Sequence, residues 1–96
     1  MDWDAPRFDW DDDNRRHLAR HGVVPDEAEQ AIRDQLTLLL EVQQILDEER
    51  SKIIGMTASG RILIVVFTYR GSLVRPVTAY DAVPRDVEIY LKGRLT

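Results

Sequence analysis

The stretch "RSKIIGMTASGRILIVVFTYRGSLVRPVTAY", residues 50–80, decides the fold. Apolar and β-branched residues fill it between two turn signals, Ser59-Gly60 and Arg70-Gly71-Ser72. That pattern predicts three antiparallel strands. "RILIVVFTY", residues 61–69, is apolar through its interior, as a central strand covered on both faces must be. Pro76 has no N–H to give to a ladder, so the third strand is expected at a sheet edge or at a bulge.

Toward the N-terminus, the strand pattern begins at "LTLLLEV", residues 36–42, which makes about four strands. "QQILDEER", residues 43–50, reads equally as a strand prolonged or as a loop. Upstream, "VVPDEAEQAIRDQL", residues 23–36, predicts a helix. Pro25 fits its first position, and Asp26, Glu27 and Glu29 lie in or near its first turn. Ala28, Ala31, Ile32 and Leu36 fall at helical spacing and form its expected buried stripe. A shorter helix precedes it, capped from Asp11-Asp12-Asp13-Asn14 and stopped near His21 by Gly22. "RFDWDDDN", residues 7–14, alternates Phe8 and Trp10 with polar residues, as a short strand or extended arm does. Downstream, "VPRDVEIYLKGR", residues 83–94, predicts a short C-terminal helix with Val87, Tyr90 and Leu91 on one side. The expectation is one α+β domain over residues 1–96.

Composition narrows the class. The chain has no cysteine, which excludes disulfides and thiolate metal sites. Its start, "MDWD", does not read as a signal peptide, and its longest apolar run, "ILIVVF", is too short to span a bilayer. A cytoplasmic protein with no membrane partner is expected. The net charge of −4 argues against nucleic acid, but its distribution does not. Residues 1–13 carry −5, residues 14–49 carry −4, and residues 50–96 carry +5. A basic half of this kind suits an anionic ligand, and a dipolar surface without a partner is the plain alternative.

The two histidines, His17 and His21, stand one helical turn apart. A metal site would need further ligands, and no Glu follows His17 to make H-E-x-x-H. No metal or other cofactor is expected. His21 suits a helix C-terminus. His17 is a reserve acid or base, since imidazole titrates at about 6.5.

RNA is one anionic ligand that would suit the basic half, and its cleavage without a metal needs a base, an acid, and cations where charge builds on phosphate. Arginine supplies the cation with a fork that fits two phosphate oxygens. With a two-residue turn at Ser59-Gly60, Lys52 lies opposite Phe67 and Arg50 opposite Tyr69. Two cations and two stacking rings would then share a face, as single-stranded RNA requires. Arg75 joins them if the Arg70-Gly71-Ser72 loop has three residues, and leaves them if it has two. Arg50 and Arg75 are the expected phosphate ligands, with Glu49 and Tyr80 as candidates for proton transfer. Lys52, Arg61 and Tyr69 are the expected RNA contacts. The structural alternative puts Phe67 and Tyr69 in the core and pairs Arg50 and Lys52 with Glu48 and Glu49.

Three pieces in order, "FDWDDDNRRHLARHGV" (8–23), "PDEAEQAI" (25–32) and "DEERSKIIGMTASGRILIVVFTYRGSLVRPVTAY" (47–80), resemble the BrnT-like toxin family. The resemblance spans roughly residues 8–90. It implies a RelE-like α+β fold and a ribonuclease toxin of a type II toxin–antitoxin pair. It also implies neutralisation by a ribbon–helix–helix antitoxin that represses the shared operon. The chain departs from the family at Thr78-Ala79-Tyr80-Asp81, where many members carry Ser-Ala-Arg before a basic helix. A catalytically silent relative that only binds a partner protein is the alternative this departure favours. An antitoxin or a second copy of the chain could add a strand at an exposed edge.

Overall fold

The computed structural model describes residues 6–95. Two helices come first, α1 (Asp12–Ala19) and α2 (Pro25–Arg33). Four strands follow, β1 (Leu38–Ile45), β2 (Glu48–Met56), β3 (Ile62–Arg70) and β4 (Leu73–Asp81), and then α3 (Pro84–Leu95). The strands form one antiparallel sheet in chain order, β1-β2-β3-β4. None of the helices among the described residues is long and apolar enough to cross a membrane.

Both faces of the sheet are covered at β3. On one face Leu18 of α1 and Ala28 and Ala31 of α2 pack with Ile53, Leu63, Val65, Phe67 and Ala79. On the other, Tyr90 of α3 packs with Ile54 and Ile64. This explains the continuous apolar run, since both faces of β3 are buried or half-buried from Ile62 to Thr68, and only Tyr69 and Arg70 at its end are exposed. Leu36 is not part of the α2 stripe. The helix ends at Arg33, and Leu36 is exposed beyond it. Leu91 is likewise exposed, and among the described residues of α3 it is Tyr90 that is buried in the core.

The turns set the registers. "QQILDEER" is both a prolonged strand and a turn. It ends β1, turns at Leu46-Asp47 and begins β2. Between β2 and β3 the loop has three residues, Ala58–Gly60, not the two expected. Met56 pairs with Ile62, and the Thr57 N–H donates to the Arg61 carbonyl at 2.8 Å. Gly60, at φ 90°, supplies the left-handed residue that such a loop needs. One added residue slips the ladder by one, and a slip of one sends each side chain to the other face. Lys52 therefore pairs with Val66, and Ser51 with Phe67. Arg50 and Lys52 do not share a face with Phe67 and Tyr69.

Pro76 sits where its chemistry requires. β4 is an edge strand, and its ladder is irregular at Pro76, with Val66 opposite Thr78 and Phe67 opposite Pro76. The N-terminal arm covers part of that edge. Asp9 N–H donates to the Val74 carbonyl at 2.9 Å, and Val74 N–H to the Arg7 carbonyl at 2.8 Å. Among the described residues no strand pairs with the outer edge of β1.

A candidate nucleic-acid cleft between helix α1 and the sheet

Asn14 places α1. Asp11 and Asn14 form a reciprocal capping box at its start. The Asn14 amide also donates to the carbonyls of Asp9, at 2.9 Å, and Pro76, at 3.0 Å. One buried side chain thus ties the arm, the helix and the β4 bulge together. The helix ends with Val23 N–H on the Leu18 carbonyl and Gly22 N–H on the Ala19 carbonyl, the paired bonds of a Schellman turn. Gly22, at φ 69°, makes that turn possible. Between these two ends, His17 and Asp13 overhang the sheet.

Beneath them lies a cavity of about 190 Å³ lined by His17, Asp13, Glu48, Arg50, Arg70 and Arg75, among others. The pleat brings the strand residues together. Glu48 and Arg50 are two apart on β2, and Arg75 pairs with Thr68, two residues before Arg70. The β3–β4 turn has two residues, Gly71-Ser72, so Arg75 falls on the face away from Phe67 and Tyr69. The slipped β2–β3 register puts Arg50 on that same face. The two phosphate ligands expected from sequence therefore do meet, but without the aromatic rings.

Every arginine of the cleft already has a carboxylate partner. Arg50 Nε lies 2.8 Å from Glu48, and Arg70 lies 3.7 Å from the same carboxylate. Arg75 pairs with Asp9 at 3.2 Å and Asp11 at 3.0 Å, and its side chain is only 13% exposed. The hydrogen bond that Arg75 donates to Asp11 raises the Arg75 pKa despite burial, and the Arg75 guanidinium lowers that of Asp11. Three arginines face Asp13 and Glu48 across the cleft, which leaves one positive charge; Asp9 and Asp11 at its rim reverse the sign. A phosphate entering this cleft would have to displace carboxylates from these arginines.

The other sequence candidates lie elsewhere. Glu49, between Glu48 and Arg50 on the strand, points to the opposite face, and Gln44 donates to it at 3.4 Å. Phe67 is core, and Tyr69 stands against it edge-to-face at 5.8 Å. Lys52 lines a separate groove with Glu41 and Arg85. Arg61 is bound to Asp81, Glu27 and the Gly22 carbonyl at 2.8–3.2 Å. Tyr80 touches the His21 ring at 5.9 Å, which touches the His17 ring at 6.4 Å, so it meets the cleft only through two histidines. Among the described residues no group of three or more His, Cys, Asp or Glu is placed to hold a metal ion.

Sequence reasoning misses Arg70, which reads only as a turn residue, while the pairing of Arg50 with Glu48 is the structural alternative named from sequence. Counting ladder pairs back from the three-residue Ala58–Gly60 loop brings Arg70 beside Glu48, and that count needs a loop length the sequence does not fix.

A protein-family model described as the ribonuclease toxin BrnT of type II toxin–antitoxin systems matches residues 10–86. Among curated proteins, none matches the chain. The matched span holds every cleft residue and stops within the first turn of α3.

Proposed function

The chain belongs to the BrnT family of ribonuclease toxins of type II toxin–antitoxin systems, and on that premise we propose that the α1 cleft cleaves RNA without a metal ion. The observation that carries this reading is the convergence of Arg50, Arg70 and Arg75 with His17. In such cleavage the 2′-oxygen attacks phosphorus, the bond to the 5′-oxygen breaks, and negative charge builds on the non-bridging oxygens. The three guanidinium forks meet that charge. His17 takes the 2′-hydroxyl proton, and the departing 5′-oxygen takes a proton from water to leave as a 5′-hydroxyl beside a 2′,3′-cyclic phosphate. Glu48 holds Arg50 and Arg70 until phosphate displaces it. The proton role assigned from sequence to Glu49 or Tyr80 passes to His17 in this proposal, because His17 alone of the three borders the cleft.

Membership of a type II family supplies an antitoxin partner. We infer a ribbon–helix–helix antitoxin, a RelE-like fold and a cytoplasmic site of action. The family resemblance supports all three.

A second reading is favoured by one observation: all three arginines are already neutralised within the chain. In that reading the protein binds its antitoxin and cleaves nothing. Incubation of the purified full chain with single-stranded RNA in EDTA separates the two. The ribonuclease reading expects cleavage that is lost in Arg70→Ala and His17→Ala, and growth arrest when the chain is induced alone. Intact RNA with normal growth supports the silent reading.

A further inference from the structure

We propose that two copies of the chain associate through the outer edge of β1 and form one continuous sheet. The inference does not depend on the cleft, whose arginines lie on other strands.

A four-stranded sheet has two edges. The β4 edge is partly occupied by the arm at Val74 and by Asn14 at Pro76. No strand among the described residues lies outside β1. Proteins commonly blunt an exposed edge with Lys or Pro. Residues 38–45 contain no Lys, Arg or Pro, and Glu41 is their only charge. They also expose apolar surface: Leu39 is 63% exposed and Val42 48%, and Leu46 at the adjoining turn is 95% exposed.

Leu46 carries a second cost. Its φ is 58°, in the left-handed region where Asn or Gly holds a hairpin turn with less strain. A leucine here is unfavourable for the lone monomer in both backbone and solvation. A partner that covers it offsets the second.

The partner chemistry the edge fits is its own. The ladder of β1 is irregular between Leu39 and Glu41, so its regular part is Glu41–Ile45. An antiparallel pairing across a two-fold axis must match the pleat of both copies. Centred on Gln43, it pairs all five residues. Glu41 then faces Ile45, Val42 faces Gln44, and Gln43 faces itself. Neither Glu41 opposes its own copy, so no like charges meet. Each Leu46 comes to lie beside Leu39 and Leu40 of the other copy, apolar on apolar. Centring on Val42 or Gln44 pairs only three regular residues before the pleat or the turn intervenes.

Sedimentation equilibrium of the full chain over a wide concentration range tests the proposal. The wild type is expected to be a reversible dimer. Val42→Lys, an edge lysine, should weaken association by about tenfold or more. Leu46→Gly should weaken association while raising the melting temperature of the monomer, because glycine relieves the left-handed strain. A merely structural leucine would lower it. A wild type that stays monomeric throughout overturns the proposal, including one whose β1 amides gain exchange protection only with an antitoxin. So does a dimer whose affinity neither variant changes.

Discussion

Gly55 of β2 lies directly under the backbone of Ala31 in α2, and a methyl group at Gly55 would overlap the Ala31 carbonyl. The clash is with backbone, so no rotamer change relieves it. Gly55→Ala is expected to cost about 3 kcal/mol, the upper range for overpacking. Gly71→Ala is the control. Gly71 has open space around it, and only its φ of 61° opposes a side chain, at about 1 kcal/mol. Urea denaturation of both variants checks the difference.

Asp34 and Tyr90 join the end of α2 to α3, and their linkage gives a pH dependence. The Tyr90 hydroxyl donates to Asp34, as do the Met56 N–H at 2.8 Å and the Leu36 N–H at 3.0 Å. Burial pushes the Asp34 pKa up, but these donors outweigh it and the net shift is downward. A depressed carboxyl stabilises the fold above the unfolded value of about 3.9, and that stability is lost as pH falls through the folded value. The Tyr90 pKa is raised, by burial first and then by Asp34. Its contribution is present below about 10 and is lost as pH rises through the folded value. Tyr90→Phe should cost about 1–3 kcal/mol at neutral pH. It should also make the acid loss shallower and abolish the alkaline one, as read from urea midpoints across pH.

Arg70 and Arg61 should separate in a salt titration. Arg70 borders the cleft and is 59% exposed. If it holds phosphate, Arg70→Ala should flatten the log–log salt dependence of single-stranded RNA binding by about 0.7. The hydrogen bond to Asp81, and then that to Glu27, raise the Arg61 pKa, so Arg61 stays charged as a strut between α2 and β4. Arg61→Ala should leave the salt slope unchanged and cost about 1–2 kcal/mol of stability. A flattened slope in Arg61→Ala would place RNA on the wrong side of α2.

His17 is exposed, and no hydrogen bond of the described fold depends on its ring. His17→Ala should therefore leave the melting temperature unchanged while slowing RNA cleavage by about a hundredfold or more. His21→Ala should have a much smaller effect, since His21 lies a turn further from the arginines. Single-turnover rates in EDTA check both.

Asn14 couples stability to the cleft. Asn14→Ala leaves the Pro76 carbonyl without its donor and removes half of the capping box. A loss of about 2–3 kcal/mol is expected. α1 should loosen from β4, so amide exchange in residues 12–19 should rise more than in β3.

Much of the fold could be read from the chain because its signals are local. The Asp11 cap, Pro25 at a helix start, Gly22 at a helix end and Pro76 at a bulged edge each act within a few residues. The apolar run of β3 announced two covered faces in the same way. The open edge was less legible. The arm pairs with Val74 from 66 residues away, measured from Phe8, and so covers part of the β4 edge.

What the sequence determined by itself was the set of elements, their order and the basic character of the second half. The faces were decided only in three dimensions. The side-chain period of a strand is two residues, so one residue more in the Ala58–Gly60 loop reversed the side on which Arg50 and Lys52 stand relative to Phe67. The tertiary structure then chose which charges meet. It bound Arg61 to Asp81 and Glu27, and it gathered Arg50, Arg70 and Arg75 under His17. A pairing register is the sum of loop lengths and bulges along the whole ladder, and no short stretch of sequence contains that sum.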